Sequence, residues 1–140
     1  MTKMTTLFTT LMLLIGVVGV NAQISEECIT TGSVFNEAAK IKNWEAARPH
    51  FEKLRKDCPT WSLALYQRGA KLLKADLKKA TGAQKTTVAE DLISLLKERE
   101  QYFSAKTAKR KNAADQAQIM FDSKIGTKAC LLYTSDAADE

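Results

Sequence analysis

Apolar residues along the middle of this chain recur at intervals of three and four, the spacing that places side chains on one face of an α-helix. No segment shows the sustained alternation of apolar and polar residues that is typical of a half-buried β-strand. Proline, which interrupts helices, occurs only at Pro49 and Pro59. The pattern therefore predicts an all-α protein.

Residues that favour helix ends divide this pattern into separate elements. Asn43 is suited to the N-cap of a second helix, and Thr87, with Glu90 three residues later, fits a capping box at the start of a fourth. Gly82 suits the left-handed conformation that follows a helix end. Five helices are predicted, over approximately residues 31–41, 44–57, 61–80, 87–102 and 113–121, with a basic loop at 104–111.

The second predicted helix contains a local conflict at Pro49. A proline inside a helix removes one backbone hydrogen bond and crowds the preceding turn. Because the apolar stripe continues to Leu54, we expect a bend there, and a helix that begins later, near Arg48, is the alternative. The apolar face of the first helix is expected to carry Val34, Phe35, Ala38, Ala39 and Ile41.

Residues 1–22 have the features of a secretory signal peptide. Lys3 supplies a basic start, residues 7–20 are almost wholly apolar, and Val20-Asn21-Ala22 offers small residues for cleavage. The apolar run is short for a bilayer span of about 20 residues, so an uncleaved anchor is the weaker alternative. We expect a mature chain that begins at Gln23, is exported to the periplasm or secreted, and has no membrane span.

Residues 130–140 read CLLYTSDAADE and resemble the translation of a sequencing-library transposase adapter. The alternative is a genuine acidic tail, since chain ends are often polar. If the adapter interpretation holds, these residues are an artefact without ordered structure, the natural protein continues beyond Ala129, and residues 23–129 are a truncated helical region.

Residues 43–59, NWEAARPHFEKLRKDCP, resemble the second helix of a tetratricopeptide repeat. The resemblance rests on Trp44, the small Ala47, Phe51 and the closing Pro59. Such a repeat has about 34 residues in two antiparallel helices that cannot bury their apolar faces alone. The resemblance implies that helix packing is carried by Phe35, Ala38, Trp44, Ala47, Phe51, Pro59, Gly69 and Leu72.

By this resemblance the fold is a set of antiparallel helix hairpins stacked as a short α-solenoid. Gly69 and Leu72 fall where the next unit's first helix would carry its small and bulky packing positions, whereas Phe35 stands near the place of the first unit's usual glycine. An insertion at residues 80–86 lengthens the second unit. A bundle of helical hairpins without a true repeat is the alternative.

The hairpin that the resemblance implies would bring Cys28 and Cys58 together. Cys28 is expected just before the first helix and Cys58 just after the second, and these two ends are neighbours in an antiparallel pair. A disulfide there would contribute roughly 3 kcal/mol in the chain-entropy model, and exported proteins form such bonds. Two separate buried thiols are the alternative.

The resemblance implies a non-catalytic scaffold that binds an unidentified protein or peptide on the concave face formed by the first helix of each pair. Candidate binding residues on that face are Asn36, Lys40, Gln67, Arg68 and Lys71. Two alternatives remain: a structural spacer or assembly module before a missing domain, and the N-terminal region of an enzyme whose catalytic domain is missing.

Side-chain chemistry adds little to this interpretation. His50 is the only histidine, so a metal set or a catalytic arrangement lacks partners, and we expect no cofactor. Asp91 is interpreted as a helix-start charge and residues 97–100 as a solvated helix face.

The chain has a net charge of +5, with basic patches at Lys71, Lys74, Lys78 and Lys79 and in the loop after residue 104. Export argues against nucleic acid as the partner. An anionic component of the cell envelope is a further candidate, and solvated surface is the ordinary explanation of such patches.

Overall fold

The computed structural model describes residues 24–126, and within that range the chain is all-α, as predicted. Its helices are α1 (Glu26–Lys40), α2 (Trp44–Asp57), α3 (Leu63–Lys79), α4 (Gly82–Tyr102) and α5 (Lys109–Asp122), with one turn of 3₁₀-helix at Ser104–Lys106. The predicted signal peptide at 1–22 and the adapter-like residues 130–140 lie outside the described residues. None of the helices in the described range is both long and apolar enough to cross a membrane.

Helix α2 has the predicted boundaries and the predicted cap. The Asn43 side chain accepts a hydrogen bond from the Ala46 amide at 3.2 Å, which satisfies one of the unpaired amides of the first turn. Pro49 lies inside the helix, so the alternative start near Arg48 is wrong.

Helix α1 begins at Glu26, five residues before the predicted start. Ser25 is its N-cap and accepts from the Cys28 amide at 3.2 Å, while Glu26 and Glu27 place negative charge at the positive end of the helix dipole. Cys28 therefore lies in the first turn of the helix, and its predicted position before the helix is wrong.

The apolar face of α1 is narrower than its sequence suggests. Phe35 and Ala39 are buried, but Val34 and Ile41 are 46 % and 76 % exposed. The helix buries one stripe against its neighbours, and these two side chains lie outside that stripe.

Helix α4 begins at Gly82, and the predicted N-cap at Thr87 is wrong. The Thr87 hydroxyl donates to the carbonyl of Ala83 at 3.3 Å, inside the first turns of the helix. Gly82 does have the predicted positive φ, +57°. Only Ala80 and Thr81 separate the end of α3 from the start of α4. Most of the predicted insertion at residues 80–86 is therefore helical.

Helix α5 begins at Lys109, four residues before its predicted start, so the predicted basic loop is mostly ordered as the 3₁₀ turn and the first turn of α5. The Thr107 hydroxyl donates to the Phe103 carbonyl at 2.8 Å and is buried where the two segments meet. The side chain of buried Asn112 donates to the Leu96 carbonyl at 3.0 Å, which ties α5 to α4.

Consecutive helices run antiparallel. The disulfide between Cys28 and Cys58 joins the start of α1 to the end of α2, with the two Cα atoms 6.0 Å apart. Tyr66 near the start of α3 stacks on Tyr102 at the end of α4, with ring centroids 6.3 Å apart. Helix α1 packs against α2 and α3, so the helices form one continuous core.

Two stacked aromatic rings lie at the centre of that core, and a glycine lies against one of them. The rings of Phe35 and Phe51 stack with centroids 6.0 Å apart. A Cβ atom placed on Gly69 would lie 2.3 Å from the Phe51 ring, so α3 approaches α2 as closely as a glycine allows. Ala47 and Leu72 are fully buried beside them.

The other residues that the tetratricopeptide resemblance selected lie at the edge of the core. Ala38 and Trp44 are partly buried and pack against it. The carbonyl of Pro59 accepts a hydrogen bond from the Tyr66 hydroxyl at 2.8 Å, which connects the link after α2 to α3.

Candidate functional site

The five candidate binding residues lie on two neighbouring helices. Asn36 and Lys40 are on α1, and Gln67, Arg68 and Lys71 are on α3, which packs against α1. Asn36 and Lys40 share one side of α1 because they are four residues apart, and Lys71 shares one side of α3 with the residues three and four positions before it. We call these five residues together with Glu37 the α1–α3 face.

Charges from both helices interact on the α1–α3 face. Lys40 donates to the Glu37 carboxylate at 2.6 Å. This hydrogen bond and the lysine charge lower the pKa of Glu37, and Arg68 on α3 adds a smaller effect in the same direction. The Arg68 guanidinium therefore acts across the space between α3 and α1.

Two polar atoms of this face lack a partner. Asn36 Oδ1 and Arg68 Nη1 are buried, and neither makes a hydrogen bond within the described part of the chain. A buried polar group without a partner costs about 1–3 kcal/mol. The pair offers one acceptor and one cationic donor, a set that the N–H and C=O of a peptide amide could satisfy.

A stripe of lysines continues along the outer side of α3. Lys71, Lys74 and Lys78 are exposed and lie at spacings of three and four, so they share one side of the helix over about 10 Å. None of the three forms an ion pair with any residue from 24 to 126. This side is opposite to the one on which Gly69 and Leu72 face the core.

The strongest ionic cluster joins α2 to α4 and was missed by the sequence analysis. Arg55 donates to Asp91 at 2.5 Å and to the two oxygens of Glu98 at 2.8 and 2.7 Å. Its guanidinium also lies 5.9 Å from the centre of the Phe51 ring. Asp91 and Glu98 therefore connect two helices, although their sequence suggested a helix-start charge and a solvated face.

The contacts between Arg55 and Glu98 shift the pKa values of both side chains. Hydrogen bonds from Arg55 to Glu98 contribute most to raising the pKa of Arg55. Burial by itself would raise the pKa of Glu98, but the hydrogen bonds and charge of Arg55 outweigh it and leave that pKa below its usual value. No sequence signal links residues that are 36 and 43 positions apart, so only the fold brings them together.

The predicted disulfide between Cys28 and Cys58 is present. Both cysteines are buried, and the Ser25 hydroxyl donates to Cys28 Sγ at 2.9 Å. Disulfides persist in oxidising compartments and are rare in the cytosol, so the bond is consistent with an exported protein.

The remaining sequence candidates for chemistry are His50 and the acidic and cysteine side chains of residues 24–126. No group of three or more His, Cys, Asp and Glu side chains in that range is placed to hold a metal ion. His50 is a partly buried residue on α2.

Comparisons with models of protein families, with curated proteins and with solved structures gave no match for this chain.

Proposed function

We propose that this protein is an exported, non-catalytic scaffold of the tetratricopeptide-repeat type that binds a protein or peptide on its α1–α3 face. The observation that carries the proposal is the approach of Gly69 to Phe51. By the resemblance, Phe51 belongs to the second helix of one unit and Gly69 to the first helix of the next. A glycine pressed against that ring is what stacked units of this kind would require.

The α1–α3 face is the surface that such stacking would leave for a ligand. It combines exposed Lys40, Gln67 and Lys71 with the two buried polar atoms of Asn36 and Arg68 that lack partners. A bound peptide that reaches these atoms would supply the missing partners. Binding through shape, hydrogen bonds and charge requires no covalent step.

Export is the part of the proposal that the Cys28–Cys58 bond supports. A reducing compartment would leave both thiols reduced, whereas the periplasm or the extracellular space would maintain the bond. The apolar start of the chain, with its small residues at positions 20–22, is the expected export signal.

The proposal is tested by selecting ligands from a display library of short random peptides on the immobilised chain from Gln23 onwards. A variant with Asn36→Ala and Arg68→Ala should bind the selected peptides at least about tenfold more weakly, a loss of about 1.4 kcal/mol. The matched control carries Glu52→Ala and Lys56→Ala, two exposed positions on α2, and should bind as the unchanged chain does.

Two results would contradict the proposal. A structural spacer would select no peptide family above background. If every selected peptide family binds the Asn36/Arg68 variant as well as it binds the unchanged chain, no peptide binding occurs on the α1–α3 face. Circular dichroism of each variant separates a lost contact from a lost fold.

A further inference from the structure

A groove lies between α3, the first half of α4, and α5, with a volume of about 470 Å³. Its apolar lining comes from Leu77 on α3, Leu92 on α4 and Ile119 on α5. Leu92 is fully buried and Ile119 is 7 % exposed, so the core itself forms the floor. We call this cavity the α3–α5 groove.

The two sides of the α3–α5 groove carry opposite charges. Lys74 and Lys78 line it from α3, and Asp115 and Asp122 line it from α5. Each pair shares one side of its helix, because the spacings are four and seven residues. The groove therefore has a basic wall and an acidic wall with an apolar floor between them.

These opposite charges do not pair with one another. No ion pair within 4.0 Å joins the lysines to the aspartates in the described chain; Asp122 instead accepts a hydrogen bond from Gln118 at 2.9 Å, on its own helix. Lys85 also lines the groove, and it donates to the backbone carbonyl of Asp122 at 3.1 Å and so ties the start of α4 to the end of α5. The lysine and aspartate charges of the groove are therefore not neutralised by one another.

A buried hydroxyl in the groove also lacks a partner. Ser123, which is only 9 % exposed, lines the groove, and its Oγ atom is buried without a hydrogen bond. Buried hydroxyl groups normally have a partner, and the exceptions call for an explanation. A ligand with a polar group near the end of α5 would provide one.

We infer that the α3–α5 groove binds a peptide segment that places an apolar side chain on the groove floor, an acidic side chain toward Lys74 and Lys78, and a basic side chain toward Asp115 and Asp122. This inference goes beyond the proposed function, because the groove shares no lining residue with the α1–α3 face. A segment of this kind would neutralise both walls and cover the apolar floor at the same time.

The acidic wall decides between this ligand and a simple polyanion. A phosphate-bearing polymer would gain attraction from the lysine stripe of α3, but Asp115 and Asp122 would repel it inside the groove. A peptide that carries both signs of charge gains attraction on both walls. Charge complementarity of this kind sets partner choice and orientation more than raw affinity.

The same display library tests the inference when sequencing follows each selection. Peptides that are enriched on both the unchanged chain and the Asn36/Arg68 variant bind away from the α1–α3 face, and they should combine an acidic, an apolar and a basic residue. The variant with Lys74→Ala and Lys78→Ala should reduce the enrichment of acidic residues about tenfold. The variant with Asp115→Asn and Asp122→Asn should reduce the enrichment of basic residues to a similar extent.

A control variant with Lys106→Ala and Lys111→Ala removes the same charge from exposed positions outside the groove and should keep both preferences. Uniformly acidic peptides that tolerate the aspartate changes would overturn the inference in favour of a polyanion. Enrichment that responds only to the Asn36/Arg68 variant would overturn it while leaving the proposed function intact. Selection of no peptide family at all would overturn both.

Discussion

Two glycines in this protein mark places where helices meet without room for a side chain. A Cβ atom on Gly69 would lie 2.3 Å from the Phe51 ring, and one on Gly32 would lie 2.1 Å from the Trp61 ring. The neighbours differ in their freedom to move. Phe51 is 2 % exposed and enclosed by the core, whereas Trp61 is only partly buried.

Gly69→Ala is expected to destabilise the protein. Overpacking against an enclosed ring costs about 1–3 kcal/mol, which exceeds the gain of about 1 kcal/mol from replacing glycine inside a helix. The net loss should be about 1 kcal/mol, measured as a lower midpoint of urea unfolding.

Two comparisons show whether the Phe51 ring is the cause. Gly32→Ala should cost less than Gly69→Ala, because the partly buried Trp61 can move outward. In a background of Phe51→Leu, Gly69→Ala should lose most of its effect, since contacting residues are energetically coupled. A cost that is unchanged in this background would show that the ring does not limit α3.

At the scale of the elements, α2 is held to α4 by charge as well as by apolar contact. The Arg55 side chain is 18 % exposed, and its partners Glu98 and Asp91 are 26 % and 43 % exposed. Solvent therefore screens the cluster in part, and its loss should cost less than the roughly 3–5 kcal/mol of a fully buried pair. The cluster fixes which sides of α2 and α4 face each other.

Arg55→Met should destabilise the protein by about 1–2 kcal/mol at neutral pH and should weaken its response to acid. In the folded protein the pKa of Glu98 lies below its usual value of 4.5. Its stabilising contribution is therefore present above about pH 4.5 and is lost as the pH falls through the lower folded value.

Urea unfolding at about pH 7, 5 and 3.5 measures this effect. The unchanged protein should lose more stability on acidification than the Arg55→Met variant, in which burial alone would raise the pKa of Glu98. Lys56→Met, an exposed change on the same helix, should keep the slope of the unchanged protein. Equal slopes in all three proteins would exclude the proposed role of Arg55.

At the scale of the whole molecule, most contacts between the described helices join neighbours along the chain, and we refer to α1 to α5 in this order as the row. The disulfide closes the α1–α2 pair at one end. At the other end, α5 contributes only Asn112 and Ile119 to the buried residues and leaves Phe121 65 % exposed. Stability should therefore be uneven along the row.

Amide hydrogen exchange should be fastest in α5 and slowest in α2, α3 and α4. Few buried apolar contacts hold α5 in place, so it can open without the rest of the row. Exchange measured by mass spectrometry on short fragments resolves each helix. Protection of α5 equal to that of α4 would contradict this expectation.

The double variant Cys28→Ser with Cys58→Ser separates the two ends of the row. It should lose roughly 3–4 kcal/mol, the entropic contribution of a loop of this length. Exchange should increase first in α1 and α2, with little change in α5. A uniform increase in every helix would indicate that the described chain opens as one cooperative unit.

The sequence by itself determined the helical class, the boundaries and cap of α2, the left-handed Gly82 and the paired cysteines. These features depend on residues that are close along the chain, or, for the cysteines, on a pairing that the resemblance implied. The sequence patterns did not predict the early starts of α1 and α4. Ser25 caps α1 and Gly82 begins α4, whereas the patterns favoured later residues.

The candidate surfaces were predictable only in part. Five of the six residues of the α1–α3 face were named through the tetratricopeptide resemblance, but the missing partners of Asn36 and Arg68 depend on how α1 packs against α3. The acidic wall of the α3–α5 groove was not foreseen, because Asp122 lay beyond the predicted fifth helix. The Arg55 cluster spans 36 to 43 residues. Tertiary structure alone decided these arrangements, because charge and burial act through space between helices that local patterns cannot place.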